Sequence, residues 1–286
     1  MKKLLIILIS GLLFQSCNSS REQKDKHFDN NDLDKGNLNG NLKSYKEYLY
    51  EEKDTLIDIT KGTKYCSRFI IFNKNGNVTA SFQYRFNGKI DAKSNFIYDG
   101  NLLIEDNSES CFYEINKFKS IYKYNNYGKL IDNISYNGKL ELKFSGETKT
   151  IYNEKGAKIK EEFYNYAGIL DEYKTFEYDT RGNEIGIKWY MQNDLVNITN
   201  KKYDEYSNEI ESVTISPLTN NEYKRLFKYD SNNNIIEKVI RDSEYKTDDI
   251  YTYYYAYDKN ENWINKTTSK NDKITSIIER KYEYAQ

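Results

Sequence analysis

The chain reads as an all-β protein, in which antiparallel β-hairpin repeats with a period of about 26 residues form a curled, elongated sheet or solenoid. Three observations predict this. A short phrase recurs: aromatic, Asp or Asn, two variable residues, Gly, Asn, one residue, then Ile or Leu, clearest at Tyr178-Asp179-Thr180-Arg181-Gly182-Asn183-Glu184-Ile185. Its aromatic anchors, Phe72, Tyr98, Tyr124, Tyr152, Tyr178, Tyr203, Tyr229, Tyr257 and Tyr284, are spaced by 25 to 28 residues, the signature of a repeat architecture. Between anchors the apolar residues alternate, as in Ile185, Ile187, Trp189 and Met191 against Glu184, Gly186, Lys188 and Tyr190, which is the period of a strand.

Taken in chain order, residues 1–16 read as a signal peptide. Lys2 and Lys3 precede an apolar run, Leu4 to Phe14, too short to span a bilayer. Phe14-Gln15-Ser16-Cys17 resembles the lipobox of bacterial lipoproteins, which implies lipidation of Cys17 and anchoring to a membrane. Residues 17–44 are rich in Asn, Asp, Lys, Ser and Gly and read as the lipidated Cys and a flexible tether. Residues 45–286 form the repeat domain, with 45–71 as an N-terminal cap carrying atypical strands near Tyr45–Tyr50 and Tyr65–Phe72.

Each main turn has a mechanism. The Asp or Asn after the anchor accepts hydrogen bonds from nearby backbone amides. Gly76, Gly128, Gly156 and Gly182 supply positive φ, followed by Asn as at Asn183, and Tyr98-Asp99-Gly100-Asn101 is the same turn shortened by two residues. Ser207 and Glu261 tolerate left-handed geometry poorly, so their turns are expected to be looser. A second turn falls midway, at Asn87-Gly88, Asn137-Gly138, Ala167-Gly168, Asn193-Asp194, Asn220-Asn221, Thr247-Asp248 and Asn271-Asp272. Eight two-strand repeats give about sixteen strands, with the strand ending at Tyr284 as a free edge.

Composition narrows the function. Hydrophobic residues are 38% of the chain and aromatics alone 15%, so tyrosine must supply much of the buried area. Removing the signal peptide leaves 41 basic against 44 acidic residues, which gives no electrostatic case for nucleic acid. The one histidine, His27, lies in the tether, which removes histidine-based catalysis and zinc sites. No phosphate loop, dinucleotide fingerprint or paired-Cys motif is present, so neither a cofactor nor a metal is expected. Strand counting places Cys66 and Cys111 too far apart for a disulfide, and both read as small buried residues.

Tyr178-Asp179…Gly182-Asn183, Tyr203-Asp204…Asn208, Tyr229-Asp230…Asn234 and Tyr257-Asp258…Asn262-Trp263 resemble the YD-repeat (Rhs-type) family over about residues 65–286. With the leader, the chain looks like a small bacterial envelope lipoprotein of the Bacteroidetes kind. In large relatives such repeats wind into a β-shell around a toxin domain. This chain has neither enough repeats nor a toxin module for that. The resemblance implies carbohydrate binding only by analogy.

The expected function is therefore non-enzymatic: a lipid-anchored cell-envelope protein, in the outer rather than the inner membrane, whose repeat surface binds a glycan or an envelope protein. Trp189, Tyr190, Tyr253, Tyr255 and Trp263 are the candidate binding surface, against the alternative that such rings only pair across strands. Two other readings stand beside it. One is an immunity or accessory protein for a secreted toxin. The other is a carboxylate-dependent glycosidase drawing on Glu161, Glu162, Asp171 and Glu172.

Overall fold

The computed structural model describes residues 31–51, 63–110, 116–138, 141 and 143–285. Residues 1–16, read as a signal peptide, and Cys17 and Cys111 lie outside the described residues. Among the described residues there are eighteen strands. The first nine are β1 Leu42–Glu51, β2 Thr63–Phe72, β3 Val78–Tyr84, β4 Ile90–Asp99, β5 Leu102–Ser110, β6 Asn116–Tyr124, β7 Leu130–Gly138, β8 Lys143–Tyr152 and β9 Lys158–Asn165. The rest are β10 Leu170–Tyr178, β11 Glu184–Met191, β12 Asp194–Tyr203, β13 Glu209–Ile215, β14 Glu222–Tyr229, β15 Ile235–Asp242, β16 Thr247–Tyr257, β17 Trp263–Lys270 and β18 Lys273–Tyr284.

Every strand pairs antiparallel with the next, and β18 pairs with β1 from Leu42↔Tyr284 to Tyr50↔Ile277. The all-β hairpin architecture is as expected, but the sheet closes into a barrel and is not a curled sheet or solenoid. The strand ending at Tyr284 is accordingly no free edge. Closure satisfies the backbone groups that two edges would leave open. The cap strands β1 and β2 are ordinary staves of the wall and raise the count from sixteen to eighteen.

The tyrosine–aspartate turns all lie at one rim. Asp179 Oδ1 accepts the amides of Arg181 and Asn183, at 2.9 and 2.8 Å, while Gly182 takes φ +81°. Ser207 and Glu261 both adopt φ 63° and keep the same backbone bonds, so these turns are not looser. The Asp carboxylate and the closing strand pair hold the geometry even where the residue pays about 1–2 kcal/mol for it. The opposite rim follows the second set of turns with two exceptions: Thr247 and Asp248 are paired within β16, opposite Asp242 and Arg241, and the other falls in β7. Asn137 and Gly138 are paired within β7, opposite Phe118 and Lys117. The ladder overrides a local turn preference there.

Residues 31–41 were expected to be tether, but they dock on the barrel. Asp32–Lys35 forms one helical turn, α1. Asp32 Oδ2 accepts the Val78 amide at 2.8 Å and the Tyr98 hydroxyl at 2.7 Å. The Asn37 amide group donates to the Asn232 carbonyl, and the Asn39 amide donates to Asn262 Oδ1. From β3 to β15 the wall runs six strand spacings, roughly 29 Å of arc. Five residues span at most about 18 Å when extended. The segment is therefore a strap that cuts a chord inside the curve.

The strap identifies the inner face. Leu33 is buried with Leu42, Tyr45, Ile70 and Phe72, and Leu38, Val78, Tyr282 and Tyr284 pack around them. Strand alternation puts the anchor tyrosines on that same inner face. The outer face carries cross-strand ion pairs: Lys202–Glu211 and Lys123–Asp132 at 2.7 Å, Lys119–Glu105 at 2.8 Å and Lys228–Glu237 at 2.9 Å. A lipid-facing barrel carries an apolar band, and a Lys or Arg at its midplane costs about 2–4 kcal/mol. This outer wall carries charged pairs in place of an unbroken apolar band. Away from the strap Phe176 is the one buried hydrophobic side chain among the described residues, so the lumen is not filled across.

Candidate functional site

The inner face of β15 to β18 gathers the aromatic rings. Four alternate residues of β16, Tyr251, Tyr253, Tyr255 and Tyr257, point inward as a row roughly 20 Å long. Trp263, opposite Tyr257 in the ladder, stands 6.1 Å from the Tyr255 ring. β-branched and aromatic residues suit this pleated surface, and Pro is absent from these strands. Of the five residues expected to form the surface, Tyr253, Tyr255 and Trp263 are brought together here. Trp189 faces the same lumen from β11, on a different part of the wall. Its indole Nε1 donates to Glu172 at 2.9 Å. Tyr190 is separated from the others because strand alternation turns it outward, where it stacks on Tyr173 at 4.5 Å. There it acts as the cross-strand pair weighed as the alternative.

Cations sit over these rings. Lys266 Nζ lies 4.7 Å from the Tyr253 ring centre and 5.9 Å from that of Tyr255. Lys238 Nζ lies 4.9 Å above Tyr251. The Arg280 guanidinium covers Trp263 at 3.6 Å and Tyr45 at 4.7 Å, and pairs with Glu47 at 2.7 Å. Such contacts are worth about 0.5–2 kcal/mol each, more where water is excluded.

Electrostatics follow from burial. Burial, and then the Asp230 carboxylate that accepts its hydroxyl, push Tyr257 up to about 12. Burial likewise lifts Tyr282 to about 12. These hydroxyls remain neutral donors at physiological pH. The Tyr282 hydroxyl donates to the Trp263 carbonyl at 2.9 Å and that of Tyr255 to the Ile235 carbonyl at 3.0 Å, stitching adjacent strands. Burial, and then the positive charges of Arg280 and Lys238, hold Lys266 below the ordinary lysine range.

Toward the opposite mouth the inner wall opens into a hollow of about 450 Å³. Asn197, Thr214, Tyr223, Arg225, Asp242 and Glu244 contribute to its lining. Arg225 also donates to Ser212 Oγ at 3.0 Å. Sequence reasoning missed this hollow. The alternation Tyr223, Arg225, Phe227, Tyr229 marked one face of β14, but only closure shows which residues of β12 and β15 join it.

Of the carboxylates considered for glycosidase chemistry, Glu161 and Glu172 are diagonal neighbours on the inner face of β9 and β10, and each already has a partner. Glu162 faces outward and pairs with Lys160 at 2.7 Å. Glu161 pairs with Lys158 at 2.8 Å and Glu172 holds the Trp189 indole. The carbonyl of Asp171 accepts the Gln192 amide at the rim. Among the described residues no cluster of His, Cys, Asp and Glu could hold a metal, and Cys66 is a free, half-buried thiol on the outer face.

No protein-family model and no curated protein matches the chain. Solved structures with a similar course include a porin-like protein from Bacteroides uniformis, 12% identical over 85% of this chain and 98% of that one, with a TM-score of 0.44. A porin-like protein from Bacteroides vulgatus is 8% identical over 85% and 98%, with a TM-score of 0.32. A Tc holotoxin pore of Photorhabdus luminescens is 11% identical over 75% of this chain and 16% of that one, with a TM-score of 0.22. The geometry of the barrel itself carries the functional reading.

Proposed function

We propose that this is a non-enzymatic, lipid-anchored protein of the bacterial envelope whose barrel lumen binds a glycan. The observation that carries the reading is the unfilled lumen with the row Tyr251 to Tyr257 and Trp263 along its wall. Stacked rings offer flat apolar faces to sugar C–H groups, and the polar hollow around Arg225 and Asp242 offers hydrogen-bond partners for hydroxyls. The YD-repeat resemblance and the lipobox-like Ser16-Cys17 support the same assignment.

The test is a panel of envelope and dietary polysaccharide fragments titrated into the purified protein. At least one should bind, should be recovered with unchanged mass, and should lose about tenfold or more in affinity with Tyr253→Ala or Trp263→Ala. Binding indifferent to both substitutions, or a cleaved fragment, would overturn the reading. For the anchor, Cys17→Ala should release the protein from the membrane fraction.

A further inference from the structure

We propose that the glycan taken by the lumen is acidic, with its carboxylate or phosphate seated between Lys238 and Lys266 on the inner wall of β15 to β17. The inference rests on the glycan-binding reading above and adds the charge class of the ligand.

The geometry supplies the reason. Most inner-face cations already have a carboxylate: Lys201 bonds Glu184 at 2.8 Å, Arg280 bonds Glu47 at 2.7 Å, and Lys270 bonds Asp249 at 2.9 Å. Lys238 and Lys266 contact only tyrosine rings among the described residues. In the ladder Lys238 stands opposite Tyr251 and Lys266 opposite Tyr255, so the two amines bracket Tyr253 from neighbouring strands.

Each amine is thus held over an aromatic platform by its ring contacts, with no carboxylate at ion-pair distance among the described residues. Like charges on one stretch of wall repel, and burial, then the positive charges of Arg280 and Lys238, already hold Lys266 below its ordinary range. An anion between them relieves the repulsion and replaces the water each amine gives up. An ammonium is a point charge without a fork, so it accepts carboxylate and phosphate alike. The ring of Tyr253 then faces the sugar that carries the anion.

The experiment titrates full-length protein in detergent with three probes: tetragalacturonate, its fully methyl-esterified neutral form, and mannose 6-phosphate. The acidic tetramer should bind about tenfold or more tightly than its ester, and high salt should weaken it. Lys266→Met keeps the apolar stem over Tyr253 and should abolish the preference, as should Lys238→Met. Competition by mannose 6-phosphate would assign the seat to anions in general, and its absence to carboxylates. Equal binding of acid and ester, or a preference that survives both substitutions, overturns the inference while leaving glycan binding intact. Binding of neither tetramer overturns it as well, and the panel above then decides glycan binding on its own. Unchanged melting temperatures of the two variants would show that the wall is folded in each case.

Discussion

The left-handed residue of the Asp179 turn carries its cost alone. At Gly182, with φ +81°, an added Cβ would meet nothing within 4 Å. Any penalty for a side chain there is therefore backbone strain and not a clash. Gly182→Val should lower stability by about 1–3 kcal/mol in thermal or urea unfolding. An unchanged midpoint would show that the turn does not need this conformation. Sequence reasoning recovered these turns because the Asp, Gly and Asn types each do a fixed local job. It underrated Ser207 and Glu261 because the Asp204 and Asp258 side chains and the adjoining ladder impose the same geometry. Ring orientation was legible by counting in twos, which placed Trp189 and Tyr190 on opposite faces. Treating both as one surface ignored that count.

Among the elements, the strap has the largest effect per residue. Five of the six buried hydrophobic residues described, Leu33, Leu42, Tyr45, Ile70 and Phe72, meet where it docks, and the sixth is Phe176. The rest of the wall relies on ring-to-ring and ring-to-lysine contacts, since the lumen offers no opposite layer to pack on. Leu33→Ala should cost about 2–5 kcal/mol and loosen the seam between β18 and β1. If the melting temperature were unmoved, the strap would be ornamental. Composition alone made residues 17–44 a tether. Only Phe28, Leu33, Leu38 and Leu42 hinted otherwise, and four scattered apolar residues give no periodicity to read.

For the molecule as a whole, closure is the property that no single segment announces. The repeat period and alternation foretold hairpins in series, yet a ladder of eighteen strands and an open sheet of sixteen have the same local pattern. What decides between them is the register of the first and last strands, a contact spanning nearly the entire chain. The aromatic wall depends on it too, because Arg280 on β18 reaches Glu47 on β1 across that seam at 2.7 Å. Native-state hydrogen exchange should show the β18 amides protected like those of β10, in the middle of the chain. Rapid exchange in alternate β18 residues, as at an edge, would refute the closed ring.

The strap also gives the barrel a polarity in space. It enters at the rim of tyrosine–aspartate turns, and Asn31 is only fourteen residue steps along the chain from Cys17. That length reaches at most about 48 Å. An acyl group on Cys17 would therefore moor the molecule with its strapped end toward the bilayer. The other opening, beside Tyr223 and Arg225, would look away from the lipid. Polymers arriving from that side would meet the polar hollow first and the tyrosine row afterwards.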